Sequence, residues 1–87
     1  MSRQRSMEAI QAAEYVTIGE LARLTNVRYS TLKFYTEEGT IPFRQPEKNL
    51  TRRYKREEAV AQILWIKKMR AEGKSVPEIR EILGFRK

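Results

Sequence analysis

Apolar positions along the chain fall into short helical registers separated by polar or glycine-proline breaks. The first clear register opens at Thr17 and Glu20. Their spacing is that of a capping box, in which the threonine oxygen accepts an orphan amide of the first turn and the glutamate reaches back. A helix is therefore predicted from Ile18, with Ile18, Leu21, Ala22 and Leu24 at roughly helical spacing, ending near Leu24. Thr25-Asn26 interrupts it, asparagine being one of the few residues that tolerates the left-handed conformation. A second helix is predicted over 27–38, with Gly39 and Pro42 as its stop. At about 100° per residue, Thr31, Leu32 and Tyr35 share its inner face and Ser30, Lys33 and Glu37 the outer one, with Tyr29 and Phe34 on the flanks. Two helices joined by a turn of a few residues make a helix-turn-helix.

Beyond it, residues 40–56 (TIPFRQPEKNLTRRYKR) have two prolines and no helical period. Phe43-Arg44 and Thr51-Arg-Arg-Tyr flank a polar Glu-Lys-Asn tip, which predicts a short hairpin turning near Lys48-Asn49, the wing of a winged helix. A third helix is predicted over 56–72, closed by Gly73. Its apolar residues Ala59, Val60, Ile63, Leu64 and Ile66 cover a wide arc, and Trp65 and Met69 lie well round from Val60, so it is expected to be the central core helix. For Trp65 and Met69, core packing is the favoured role over a partner patch. Ser75 and Glu78 form a second capping box, Pro77 sits harmlessly in the first turn, and Val76, Ile79, Ile82 and Leu83 make the apolar stripe of a fourth helix ending at Gly84. Residues 1–14 have only a thin stripe (Met7, Ile10, Ala13) behind Ser6 as a cap, and a flexible segment is an equal expectation. The predicted fold is mainly α: a winged helix-turn-helix over 15–87 with four core helices and a short two-stranded β wing between the second and third of them.

Charge sharpens this picture. The net charge is +7, and residues 40–56 carry six cations against one anion, so five of the seven excess charges lie in seventeen residues. Such a run more often only solvates a loop, but beside a helix-turn-helix it points to a polyanion. The chain has no cysteine, histidine or aspartate. A disulfide, a thiolate or histidine metal site and a catalytic triad are thereby excluded, and an enzyme is not expected, nor a cofactor. No apolar run approaches the ~20 residues of a membrane span, and no apolar signal region follows the start, so a non-exported protein without a membrane partner is expected.

The stretch YVTIGELARLTNVRYSTLKFYTEEGTIP, followed by RRYKREEAV, IKKMRAEGKS and PEIREIL, resembles the amino-terminal DNA-binding domain of the MerR family of bacterial transcription regulators. The resemblance runs from Tyr15 to about Leu83. It implies a winged helix-turn-helix acting on double-stranded DNA in the bacterial cytoplasm, at the nucleoid. Lys33, Phe34 and Tyr35 occupy the family's R-Y-Y segment, whose members contact DNA; lysine keeps the charge but loses the bidentate fork, and phenylalanine loses a hydroxyl. The family typically continues into a long dimerisation helix and an effector-binding region, whereas this sequence stops at Lys87. No small-molecule effector is therefore expected, and any homodimer would use other surfaces, such as the amino-terminal segment against Trp65.

A helix of this kind presents its outer face to a major groove about 12 Å wide, while arginines of a neighbouring hairpin reach flanking phosphates. The candidates for groove contacts are Tyr29, Ser30, Lys33 and Phe34, with Arg28 just ahead of them as a further DNA-binding candidate and Tyr35 on the core face but its hydroxyl within reach of a phosphate. Arg44, Lys48, Arg52, Arg53, Tyr54, Lys55 and Arg56 form the wing side, positioning rather than reading sequence. Arg53 aligns with the family pattern directly, and Arg52 does so with one residue inserted. A one-residue slip exchanges the faces of a strand, so either arginine is open as the outward one. Alternative functions are an excisionase-like factor that bends DNA for recombination, and an adaptor that puts the basic wing on an acidic protein.

Overall fold

In a computed structural model, residues 5–45, 47 and 51–85 are described. Among them are five helices, α1 (Met7–Ala12), α2 (Ile18–Thr25), α3 (Tyr29–Glu37), α4 (Arg56–Ala71) and α5 (Val76–Phe85), and two short strands, β1 (Tyr15–Val16) and β2 (Tyr54–Lys55). The winged helix-turn-helix class predicted from the sequence is the observed one.

The turn chemistry sets the helix ends. Both halves of the Thr17 capping box are made: Glu20 N donates to Thr17 Oγ1 (3.2 Å) and Thr17 N to Glu20 Oε1 (2.9 Å). Asn26 closes α2 in the left-handed region, at φ 57° and ψ 36°. Arg28 is extended (φ −61°, ψ 143°), which delays the start of α3 to Tyr29, two residues after the expected position. At the far end Thr40 N bonds Tyr35 O and Gly39 N bonds Thr36 O, both 3.0 Å, with Gly39 at φ +79°. This is a Schellman motif, which needs a positive φ and so favours glycine. Gly73, at φ +94°, repeats it after α4 through Lys74 N to Met69 O and Gly73 N to Arg70 O. The Ser75-Glu78 box opens α5, which runs through Gly84 to Phe85, past the expected stop.

The sheet is where expectation and structure part. The two strands that pair are not the two arms of the wing: β1 pairs antiparallel with β2, Tyr15 opposite Lys55 and Val16 opposite Tyr54. Among the described residues the wing arms meet at one bridge, in which the amides and carbonyls of Arg44 and Arg53 exchange bonds of 2.7 and 2.8 Å. Pro42, two residues before Arg44, has no amide with which to extend the ladder on that side.

The core sits under α4. Ile63, Ile66 and Ala59 meet Ile10 of α1, Leu21 of α2, Leu32 of α3, Tyr54 of β2 and Ile79 of α5, all of them buried, with Trp65 and Met69 packed against this cluster. The buried threonines are satisfied: Thr25 and Thr36 donate to the carbonyls four residues back, and Thr40 donates to Tyr35 O. On α3, Ser30, Lys33 and Glu37 are exposed as expected, whereas of the expected inner set only Leu32 is buried, Thr31 and Tyr35 being half-buried, and Thr36 joins Leu32 in the core.

Candidate nucleic-acid interface

α2 and the core hold α3 so that its first turn opens onto the wing. An open depression of about 730 Å³ is lined by Tyr15, Thr17, Gly19 and Arg23, by Tyr29 from the start of α3, and by Thr51 and Arg53 from the wing. Of the two features singled out in the sequence, the second helix contributes Tyr29 and the basic hairpin Thr51 and Arg53 to this one depression. Tyr29 is half exposed there, and Ser30, Lys33 and Phe34 are exposed along the outer side of α3, with the Phe34 ring tilted on that of Tyr35 at 6.0 Å. Arg28, the residue ahead of α3, is exposed as well.

The wing arginines are arranged in alternation. Arg53 points into the depression and makes no side-chain hydrogen bond or ion pair among the described residues. Arg52 lies half-buried with its guanidinium carbon 5.0 Å from the centre of the Phe43 ring, and Arg44 lies 5.6 Å above Tyr15. Of the two arginines left open by the sequence, it is therefore Arg53 that shares the concavity with α3. Lys55 is exposed, and Lys48 lies outside the described residues.

Two residues of the expected wing face are elsewhere. Tyr54 is fully buried, with its hydroxyl 2.9 Å from Thr36 Oγ1, and belongs to the core rather than to a surface that DNA touches. Its burial follows from the sheet: opposite Val16, its side chain points to the inner face. Arg56 is turned inward as the first residue of α4, its Nε donating to Ala13 O (2.7 Å) and its amide to Glu14 O (2.9 Å), so it fastens the chain before β1 rather than offering a free cation.

Arg5 and Arg23 were missed. Arg5 makes a two-pronged contact with Glu20, Nε to Oε2 and Nη2 to Oε1 at 2.6 Å each, and also reaches Tyr15 O (3.1 Å). Arg23 holds Arg5 O at 2.8 Å. This fork, the largest cause, together with the Thr17 amide, holds the Glu20 carboxyl down to about 2. The pairing of residue 5 with residue 20 leaves no periodic trace, and only the known spacing of Glu20 and Arg23 on one helix hinted at a charged edge.

The family described as MerR HTH family regulatory protein matches residues 16–85. The chain belongs to the MerR family. Comparison with curated proteins and with solved structures gives no significant match. As a MerR-family helix-turn-helix protein it is a DNA-binding transcription regulator. No described helix is long and apolar enough to cross a membrane.

Proposed function

We propose that the protein binds double-stranded DNA sequence-specifically as a bacterial transcription regulator, acting in the cytoplasm on the nucleoid, with the outer face of α3 in the major groove and the wing on flanking phosphates. The observation that carries this reading is the shared concavity: Tyr29, which starts α3, and Arg53, a cation without a partner among the described residues, line one depression. The division of labour follows from chemistry. Ser30 and Lys33 carry a hydroxyl and an ammonium that can meet base edges, and Tyr29 and Phe34 offer rings to sugars or thymine methyls. Arg28, Arg44, Arg52, Arg53 and Lys55 supply charge to the backbone, which positions the protein without reading sequence. With about four phosphates engaged, log K falls with log salt at a slope of about −3.6.

The test is recovery and sequencing of DNA bound by the protein, followed by titration of the recovered sequence against a scrambled duplex. A common motif near promoters, bound more tightly than the scrambled control, is the expected result, and the half-site spacing reports whether two copies bind together. Equal affinity for all duplexes, or no duplex binding at low salt, would refute the reading. Tandem sites beside recombination junctions would reassign the protein to DNA bending.

A further inference from the structure

The wing carries its arginines on aromatic rings, and the ring beneath Arg52 is itself tied to α3. Arg52 lies 5.0 Å above the Phe43 centroid, the Phe43 ring is tilted against Tyr54 at 6.2 Å, and the Tyr54 hydroxyl is 2.9 Å from Thr36 Oγ1 in α3. Tyr54 and Thr36 are buried, whereas Phe43 is 39% exposed and keeps its place at the surface between Tyr54 and Arg52. Phe43 thus bridges the buried Tyr54 ring and the surface cation Arg52 instead of being enclosed by the core.

From this geometry, and resting on the reading of the wing as a phosphate clamp, we infer that Phe43 is a positioning residue for DNA binding: its ring presets the Arg52 guanidinium and couples it through Tyr54 and Thr36 to α3. The physics is that of preorganisation. An arginine side chain has many rotamers in solution, and binding a phosphate with it requires fixing them. A guanidinium attracted to a ring face by the quadrupole has already lost much of that freedom, yet its edge donors stay available, because ring stacking uses the plane and hydrogen bonding to phosphate uses the rim. Since the same ring rests on a residue hydrogen-bonded to α3, the cation and the groove-facing helix hold a fixed separation, and both engage one duplex without either having to move.

The test uses the whole chain, a short duplex of mixed sequence and a series of salt concentrations, with Phe43→Leu, Phe43→Tyr, Arg52→Gln and the Phe43→Leu/Arg52→Gln double variant. In the free protein, the Arg52 side-chain protons should resonate upfield because of the Phe43 ring current, lose that shift in Phe43→Leu and keep it in Phe43→Tyr. Duplex affinity should fall about two- to five-fold in Phe43→Leu, with the salt slope kept because Arg52 retains its charge, and recover in Phe43→Tyr. In the Arg52→Gln background, Phe43→Leu should cost nothing more. The inference is overturned if Arg52→Gln weakens binding while Phe43→Leu does not, if the two losses add in full, or if Arg52→Gln binds like the parent. Failure of the parent chain to bind any duplex sinks the DNA reading itself, and the ring-current comparison then still reports whether Phe43 fixes Arg52.

Discussion

Replacing Thr36 and Tyr54 singly and together tests whether the link between α3 and β2 holds the domain together. Both residues are buried, their hydroxyl oxygens are 2.9 Å apart, and Thr36 Oγ1 is 2.8 Å from Leu32 O. A carbonyl only accepts, so the single threonine proton goes to Leu32 O, and Tyr54 must donate to Thr36. Thr36→Val keeps the shape and the branching at Cβ but leaves the tyrosine O–H buried with no acceptor, a loss of about 2 kcal/mol (typically ~1–3). Tyr54→Phe removes the donor while Thr36 still bonds Leu32 O, a loss of about 1 kcal/mol. With both replaced, no donor is stranded, and the double variant should lie within about 1 kcal/mol of Tyr54→Phe. The coupling between the two sites then comes to about 1–2 kcal/mol. Urea unfolding followed by far-UV circular dichroism measures it, and for a domain of this size Thr36→Val should melt roughly 10 °C lower. Strictly additive losses, or a Thr36→Val variant as stable as the parent, would refute the assigned direction of the hydrogen bond.

The low carboxyl of Glu20 makes a prediction in acid. Because its folded value of about 2 lies below the ordinary 4.5, its stabilisation is fully present above about pH 4.5 and is lost as pH falls towards 2. Arg5 is 44% exposed, so solvent screening limits the effect to about 1 kcal/mol, and Glu20→Gln should flatten the pH dependence of urea midpoints over that window. Among the cations, Arg53→Ala should weaken binding to all duplexes and reduce the salt slope by about 0.9, whereas Arg56→Ala should lower the melting temperature and leave the slope unchanged. Lys33→Ala should instead change which sequences are preferred, read by selection from a random duplex pool. Gly39→Ala, at φ +79° with open space around the new methyl, should cost about 1 kcal/mol from conformation alone, a loss that vanishes if the turn can be rebuilt.

Where local chemistry decides the structure, the sequence was readable. The Thr17-Glu20 and Ser75-Glu78 boxes, Asn26 in the left-handed region and Gly39 and Gly73 after their helices all act within a turn, and each is present as expected. The partition of α3 into an inner Leu32 side and an outer Lys33 side followed from helical period. Pairing over long distances was not readable. Two-residue strands carry no alternation, so nothing in Tyr15-Val16 announced a partner forty residues away in Tyr54-Lys55. Tyr54 stands among four cations and so looked like part of a basic surface, although its ring lies in the core. Arg56 and Arg53, two cations of the same basic run, likewise have opposite fates, Arg56 turned in against Ala13 and Glu14 and Arg53 lining the depression.

That pairing has a consequence for how such a domain can vary. It fastens the residues just before α2 to those just after the wing, so α2, α3 and the wing form a loop closed at its neck, and the Arg44–Arg53 bridge closes it a second time further out. Length inserted between Arg44 and Arg53 would leave the β1–β2 neck, and with it the placing of α2 and α3, as they are.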